Sequence, residues 1–205
     1  MKLYQSIGPN PRVVKMFMAE KGIDLPRVEV NLMAGENRQP DHLARNPQGQ
    51  TPALELDNGV FLAEILPICE YLEEKHPSPP LIGATPEERA VTRMWARRTD
   101  LAIIEPLTNG FRFSEGLQLF QNRVHCIPQA ADDLKAIARE KLKELDGLIA
   151  GREYIAGDRF TLADIHLWVF LDFAGQVGQP LDPANQNLTA WMARVGSRPS
   201  AAASA

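Results

Sequence analysis

Alternating apolar and polar residues near the start of the chain predict a β-α-β unit. Lys2–Gln5 alternates and stops at a turn rich in glycine and proline, which predicts a strand. From Arg12 onward the apolar side chains follow helical spacing until Gly22, a typical helix stop. Arg27–Leu32 alternates again. Because strands joined through a helix run in the same direction, we expect the two strands to be parallel.

A second group of apolar runs predicts a β-hairpin followed by a helix. Ala53–Leu56 and Val60–Leu62 flank a turn that contains Asn58-Gly59, a strong signal for a tight hairpin. Leu66–His76 then places apolar and charged residues on opposite faces at helical spacing. The first part of the chain is therefore predicted to be β-α-β, then a hairpin and a helix.

The remainder of the chain carries apolar stripes at helical spacing and predicts a domain made only of helices. Pro77-Ser78-Pro79-Pro80 precedes it, and this proline-rich segment excludes a regular helix. Pro106 and Pro128 should interrupt the first two long helices, and the final Ala-Ser tail is expected to be frayed. The predicted helices are Pro86 to about Gly110, Leu117 to about Ala150, Leu162 to about Val177 and Ala184 to about Val195. The predicted organisation is a first domain at 1–76, a linker at 77–85 and an all-helical domain at 86–205.

Composition narrows the class of protein. Of 205 residues, 44% are hydrophobic and 23% are charged, which is typical of a globular protein. The formal net charge of −4 argues against nucleic acid as a partner. With no signal core and no apolar run long enough to span a bilayer, we expect neither export nor a membrane partner. Cys69 and Cys126 lack metal-ligand spacing, so we expect no metal and two free, buried helical thiols in a reducing cytoplasm.

Three segments in this order resemble the glutathione transferase superfamily. They are KLYQSIGPNPRVVKMFMAEKGI, then NPQGQTPALEL with LAEILPICEYLEEKHP, and finally REYIAGDRFTLADIHLW. The first turn is most similar to a bacterial and fungal branch whose members often lack the usual catalytic side chain. The resemblance implies an α+β fold, with a thioredoxin-like domain in front of an all-α helical bundle. Within the last segment, Thr161–Asp164 predicts a capping box with a structural role.

The resemblance implies that glutathione is the co-substrate, and it assigns binding roles to several residues. In the family the bond equivalent to Thr51–Pro52 is cis, and the residue before the proline offers its backbone N–H and C=O to the cysteinyl part of glutathione. The acid equivalent to Glu64 grips the γ-glutamyl group together with a following Ser or Thr, which Ile65 replaces here. Losing that hydroxyl should weaken binding by about 1.5–3 kcal/mol unless another donor substitutes.

Arg38, next to Asn37, and Gln50 match positions that contact the glycyl carboxylate in relatives. An arginine can pair with a carboxylate through two hydrogen bonds, and a glutamine can donate one. Arg38 and Glu64 can also be explained without a ligand. Arg38 is equally well explained as a solvated side chain in a polar loop, and Glu64 as an ordinary acid at a helix start.

Glutathione transfer requires a thiolate, although a free thiol is mostly protonated near neutral pH. Relatives use a Tyr, Ser or Cys just after the first strand, where Ile7 or Gly8 stands here. We expect the N-terminus of the following helix to stabilise the thiolate instead, assisted by Asn10 or Ser6. In this interpretation Asn10 is the N-cap and Pro11 is the first residue of the helix.

The resemblance also implies the second substrate and the assembly. The expected reaction conjugates the glutathione thiolate to hydrophobic electrophiles, a detoxification chemistry, with peroxide reduction as a side activity and a homodimer as the assembly. Phe111, Phe113 and Ser114 are candidate residues of the electrophile pocket, and His125 is a candidate for stabilising the thiolate through a water.

Two other functions remain as alternatives. Ile65 and the missing Ser or Cys favour the alternative of a non-catalytic binding scaffold. A glutathione-dependent isomerase or dehalogenase ranks last, because the Ser-rich turn is absent.

Overall fold

The computed structural model describes residues 1–205 and divides them into two compact units. Residues 1–84 and 198–205 form the first unit, and residues 85–197 form the second. The first unit contains a sheet and helices, whereas the second consists of helices. The predicted order of a β-α-β unit, a hairpin with a helix, and then helices alone is confirmed.

The first unit is built around a sheet of four strands in the order β2-β1-β3-β4. The strands are β1 (Lys2–Gln5), β2 (Arg27–Glu29), β3 (Ala53–Glu55) and β4 (Phe61–Leu62). β1 and β2 are parallel as predicted, and β3 is antiparallel to both of its neighbours. β2 ends before the predicted Leu32, because Asn31 and Glu36 bond each other and start a turn there.

The chain contains ten α-helices, together with short 3₁₀ and π segments. The helices of the first unit are α1 (Pro9–Lys21), α2 (Pro40–Arg45), α3 (Ile65–Lys75) and α10 (Pro199–Ala203). The helices of the second unit are α4 (Pro86–Thr99), α5 (Glu105–Arg112), α6 (Leu117–Phe120), α7 (Ala131–Leu148), α8 (Leu162–Gln176) and α9 (Gln186–Gly196). The 3₁₀ turns are Glu36–Arg38 and Pro128–Ala130, and the π segment is Asp100–Ile104.

A buried ion pair joins α1 to α3 inside the first unit. The Lys21 ammonium lies 2.6 Å from the Glu73 carboxylate, and both side chains are buried. Lys21 also donates to the Pro79 carbonyl, and the other Glu73 oxygen accepts from the Ile82 N–H. These contacts hold the proline-rich segment against the first unit.

Both predicted interruptions in the second unit are confirmed. Before Pro106 the α-helical ladder widens into the π segment, and the chain resumes as α5. Proline lacks the N–H that a continuous ladder requires. At Pro128 the chain forms a 3₁₀ turn, so α7 begins only at Ala131. The predicted capping box is also present, with Thr161 and Asp164 closing the start of the buried helix α8.

The chain end differs from the expectation. The sequence predicted a frayed tail attached to the helical domain, whereas residues 199–203 form α10, which packs on α1 in the first unit. Arg198 donates two hydrogen bonds of 2.7 Å to Glu20, and Ser200 and Ser204 are buried. Burial alone would raise the pKa of Glu20, but the hydrogen bonds from Arg198 and Ser200 lower it overall.

None of the helices of the chain is long and apolar enough to cross a bilayer.

Candidate functional site

The strand register brings most of the candidate residues of the first unit to one end of the sheet. Gln5 is opposite Glu29 in the parallel pair, and Tyr4 is opposite Ala53 in the antiparallel pair. The carboxyl end of β1 therefore lies beside the amino end of β3, which follows Pro52. Leu54 is opposite Leu62, so Glu64, just after β4, leaves the sheet at the same end.

The loop before β3 is held by three buried side chains. The Asn37 amide donates to the Gly49 carbonyl over 2.6 Å. His42 Nε2 and the Asn46 amide both meet the Gln50 carbonyl, at 2.9 and 3.0 Å. Asn37, His42 and Asn46 are all buried, so water does not compete with these bonds. The main chain of residues 49–50 is thereby fixed.

Thr51 presents its backbone at the end of this loop. The residue is only 7% exposed, and the expected cis bond to Pro52 is present. No hydrogen bond within the chain engages the Thr51 N–H or C=O. Backbone groups of buried residues are almost always paired. A donor and an acceptor on one buried residue therefore match a ligand that offers both, such as a peptide.

Helix α1 begins earlier than predicted, which changes the position of Asn10. Gly8 is the N-cap, with a φ of 111° that a side chain would disfavour, and its carbonyl accepts from the Arg12 N–H. The prediction of Asn10 as N-cap is therefore wrong, because Asn10 lies in the first turn between two prolines. Pro9 and Pro11 have no N–H, so the Asn10 N–H is the donor that the first three helical residues offer.

The two residues proposed to assist the thiolate, Ser6 and Asn10, differ in whether their side chains are hydrogen-bonded within the chain. The Ser6 hydroxyl is buried and donates to the Val30 carbonyl over 2.6 Å, which occupies its proton. The Asn10 side chain is half-buried and makes no hydrogen bond within the chain. No acidic residue lies in the first turn of α1, so no carboxylate opposes an anion there. Asn10 is the better candidate of the two.

Helix α3 starts at Ile65, and Glu64 is its N-cap residue. Glu64 is exposed and has a φ of 69°, the one positive φ among the non-glycine residues of the chain. Its side chain does not cap the helix. Because Pro67 has no N–H, the free backbone donors of the first turn are those of Ile65 and Leu66. These two groups can receive a carboxylate without the missing hydroxyl.

The candidates for the glycyl carboxylate lie around the same loop. Arg38 is exposed and its guanidinium lies 3.3 Å from the Gln48 carbonyl. A side chain at position 49 would collide with Arg38 and with the Asn37 carbonyl at 2.9 Å, so Gly49 permits this close packing. Gln50 has an exposed side chain. The structure thus brings Arg38 beside residues 48–49, whereas the Asn37 amide is occupied within the chain.

The candidate electrophile residues lie in the second unit at the end of α5. Phe111 stacks edge-on against Phe173 at 5.2 Å, and Phe113 is half-buried. Ser114 donates to the Gly110 carbonyl over 2.5 Å, so its proton is occupied. His125 is exposed and lies outside any helix, which differs from the helical position expected for it.

The two cysteines differ from each other. Cys69 is fully buried in α3, and burial raises the pKa of its thiol, which makes it unreactive. Cys126 is half-buried in a loop, so its predicted position inside a helix is wrong. The preceding helix α6 ends at Phe120, and α7 begins only at Ala131.

Comparison with known proteins tests the family. Residues 7–75 match the family Glutathione S-transferase, N-terminal domain, and residues 126–199 match Glutathione S-transferase, C-terminal domain. Glutathione S-transferase 2 of Saccharomyces cerevisiae is 34% identical over 94% of this chain and 84% of its own. The chain belongs to the glutathione transferase family. The thioredoxin-like domain and the all-helical domain that the resemblance implied are confirmed.

Two further similarities bear on this glutathione transferase. The maleylacetoacetate isomerase of Pseudomonas aeruginosa is 36% identical over 82% of this chain and 78% of its own. Among solved structures, a glutathione S-transferase domain-containing protein of Marinobacter aquaeolei superimposes with a TM-score of 0.91 at 36% identity. That similarity covers 98% of this chain and 99% of the other.

Sequence reasoning missed the side chains that support the site. His42 and Asn46 read as polar residues of a loop, and no spacing rule connects them to Gln50. Asn46 did carry a partial signal, because asparagine before proline favours a turn. Its side-chain oxygen accepts from the Gln48 N–H. The pairing of both side chains with one carbonyl depends on the path of residues 42–50 in three dimensions.

Proposed function

We propose that this glutathione transferase conjugates the glutathione thiolate to small hydrophobic electrophiles, with peroxide reduction as a side activity. The proposal rests on family membership and on one observation, the unpaired backbone N–H and C=O of buried Thr51. A cysteinyl residue in an extended peptide supplies the complementary C=O and N–H. No metal is required for this reaction. Cytoplasm, a reducing compartment, suits a thiol substrate and two free cysteines.

The proposed glutathione site uses both ends of the tripeptide. Thr51 holds the cysteinyl part, while Glu64 and the N–H groups of Ile65 and Leu66 receive the γ-glutamyl end. Arg38 and Gln50, on the loop before β3, receive the glycyl carboxylate. Holding the tripeptide at several points fixes the position of its thiol.

Asn10 is the proposed group that stabilises the thiolate. Its backbone N–H lies at the positive end of α1, and its side-chain amide is unpaired. A donor and a positive potential both favour the charged form of a thiol. Ser6 contributes only if its bond to Val30 is exchanged for one to the thiolate.

The first experiment is calorimetric titration with reduced glutathione and with S-hexylglutathione. Binding in the micromolar to low-millimolar range, tighter for the hexyl derivative, is the expected result. Absence of heat with both ligands would remove the glutathione site and leave only the fold. Binding without turnover of a chloronitrobenzene or a peroxide would favour the non-catalytic scaffold, which Ile65 and the missing Ser or Cys also support.

The activity of the Asn10→Ala variant tests the thiolate proposal. Loss of the side-chain donor should lower kcat by about tenfold. It should also shift the pH profile of kcat/KM to higher pH, because less thiolate forms at a given pH. The backbone N–H stays in place, so activity should not vanish. Asn58→Ala, in the exposed β3–β4 turn, is the matched control and should keep wild-type kinetics. An unchanged pH profile in Asn10→Ala would contradict the assignment.

The similarity to a maleylacetoacetate isomerase makes isomerisation the second candidate activity. Against it stands the turn Ile7–Asn10, which offers no serine. Assay of a cis α,β-unsaturated keto acid with glutathione, in parallel with the conjugation assay, separates the two activities.

A homodimer is the assembly that we propose. Val91, Met94 and Leu101 follow each other at steps of three and seven residues along α4 and the π segment, and are 38%, 45% and 48% exposed. Residues at these steps lie on one side of a helix. An apolar stripe of this kind matches the same stripe of a second copy about a twofold axis.

A further inference from the structure

The Gln50 carbonyl receives two side-chain donors, one for each lone pair of its oxygen. His42 Nε2 lies 2.9 Å from it and the Asn46 amide lies 3.0 Å from it. Because a carbonyl oxygen has no proton, Nε2 must donate. In the neutral ring Nδ1 is then an acceptor, and this atom is buried without a partner. The orientation of the His42 ring is therefore set by a single bond, the one to Gln50.

The Gln50 carbonyl and the Thr51 N–H belong to one planar peptide unit and point in opposite directions. Fixing the carbonyl from two sides consequently fixes the direction of the Thr51 N–H. Hydrogen bonds to a carbonyl also polarise the peptide unit, so its N–H becomes a stronger donor. The two donors thus act on the group that the proposed function assigns to the cysteinyl part of glutathione.

The geometry points to His42, together with Asn46, as a positioning residue that aims the Thr51 N–H at glutathione. This role rests on the proposed function, since it concerns the same site. His42 does not touch the substrate, because its ring is 2% exposed and its proton is occupied by Gln50. Its effect passes through the peptide unit between Gln50 and Thr51.

The position of His42 in the fold supports this role. It lies in α2, a helix of six residues, and Asn46 directly follows the last of them. The Asn46 N–H bonds back to the His42 carbonyl over 2.8 Å, so the two donors are tied to each other. Asn46 also accepts from Gln48 and bonds the Gly49 N–H through its carbonyl. The donors and the loop form one closed set of hydrogen bonds.

Two substitutions of His42 separate positioning from packing. His42→Leu removes the donor and retains an apolar side chain, whereas His42→Gln places an amide N–H near the original Nε2. We expect His42→Leu to raise both Kd and KM for glutathione by about fivefold to tenfold. The kcat at saturating glutathione should stay unchanged, because the contact serves ground state and transition state equally. His42→Gln should bind within about twofold of the wild type, as one restored hydrogen bond predicts.

His166→Leu is the matched control. His166 is also a buried histidine, but it lies in α8 of the second unit and neither ring nitrogen has a hydrogen-bond partner. It should leave the KM for glutathione unchanged. Asn46→Asp is a second variant in case His42→Leu does not fold. It removes the other donor and keeps the oxygen that accepts from Gln48, and it should raise KM in the same way.

The NMR amide signals of Gln50 and Thr51 in the free protein test, without glutathione, whether His42 holds the peptide unit between these two residues. His42→Leu should shift them, and His42→Gln should leave them close to their wild-type positions. Unshifted signals in His42→Leu would overturn the inference. Wild-type glutathione affinity in His42→Leu, or a fall in kcat with unchanged KM, would overturn it as well. If the wild-type protein itself binds no glutathione, the proposed function and this role fail together, whereas normal binding by both proteins removes only the role of His42.

Discussion

At the scale of single residues, buried polar side chains in this protein differ in how well they are paired. Asp164 is buried, yet it accepts from the Ile155 N–H, from the Thr161 N–H and hydroxyl, and from the Trp191 indole. Burial nevertheless raises the pKa of its carboxyl. His166 in the same helix has no hydrogen bond and lies 4.0 Å from the Asp100 carboxylate. The sequence predicted the first arrangement from the Thr-x-x-Asp pattern, but no pattern marks the second.

The pH dependence of stability should reveal His166. Burial lowers the pKa of His166 to about 4, below its ordinary value of 6.5. Between these two values the unfolded chain binds a proton that the folded chain rejects, so stability falls as the pH falls. We expect the free energy of unfolding to lose about 2 kcal/mol from this group between about pH 7.5 and about pH 5. Urea unfolding of wild type and His166→Leu at both pH values measures it.

The variant His166→Leu should lack that part of the pH dependence. Burial also raises the pKa of Asp100, with partial compensation by Arg97. A raised carboxyl pKa stabilises the folded chain at low pH and loses this effect as the pH rises, so its sign is opposite to that of His166. Asp100 is present in both proteins, so the difference between their pH curves measures the histidine together with its effect on this carboxylate 4.0 Å away. Parallel pH curves for the two proteins would contradict the prediction.

Sequence reasoning at single positions succeeded where a residue has only local demands. Gly22 ends α1 with a φ of 63°, as its place after an apolar run predicted. The start of the same helix was misplaced because Pro9 and Pro11 both suit a first turn. The choice between them depends on Gly8, whose φ of 111° turns the chain two residues earlier.

At the scale of elements, the order of strands and helices follows from periodicity, whereas their ends depend on tertiary contacts. α10 is a five-residue Ala-Ser helix with little intrinsic signal. It forms because Glu20 of α1 receives Arg198 and Ser200, contacts that span most of the chain. A single sequence does not reveal such pairings, so the tail was expected to fray.

The contact between α1 and α3 provides a prediction for a pair of elements. Lys21→Met should lower the free energy of unfolding by about 3–5 kcal/mol, because it leaves the Glu73 carboxylate buried without a cation. The double variant Lys21→Met with Glu73→Gln should recover at least half of that loss. The glutamine is neutral and still accepts from the Ile82 N–H. Urea unfolding of the single and double variants completes the cycle.

Two outcomes would contradict this explanation of the pair. A cost below about 1 kcal/mol for Lys21→Met would mean that water reaches Glu73 and that the pair behaves as an exposed one. A double variant no more stable than Lys21→Met would mean that the lost bond to the Pro79 carbonyl dominates. Lys141→Met is the matched control, since its partner Glu144 is exposed, and it should change stability by less than about 0.5 kcal/mol.

At the scale of the whole molecule, the two units do not coincide with two continuous segments of chain. Residues 198–205 return to the first unit after the helical unit is complete. The linker predicted at 77–85 rests on proline chemistry alone, whereas residues 77–84 belong to the first unit. Thr51, Glu64 and Asn10 of the proposed glutathione site could be named from the sequence, because they lie in segments with family resemblance. His42 and Asn46, whose side chains hold the loop before β3, could not be named in this way.

The oligomeric state is the remaining prediction at this scale. Replacing Met94 and Leu101 together with glutamate would place two charges on the apolar stripe formed by Val91, Met94 and Leu101. In a dimer through this stripe, each charge is removed from water and opposes its twofold copy. The dimer dissociation constant should therefore rise by roughly 100-fold or more. Sedimentation velocity over a range of concentrations measures it.

The control for the dimer is Ile137→Glu, an apolar residue of α7 that is 44% exposed and lies outside the stripe. It adds a charge to a surface of similar exposure and should leave the sedimentation coefficient unchanged. A stripe variant that stays dimeric would place the interface on another surface. A wild-type protein that sediments as a monomer would instead show that the three exposed apolar residues of α4 and the π segment bury too little area to hold two copies together. A stable interface needs about 1,200 Å² or more.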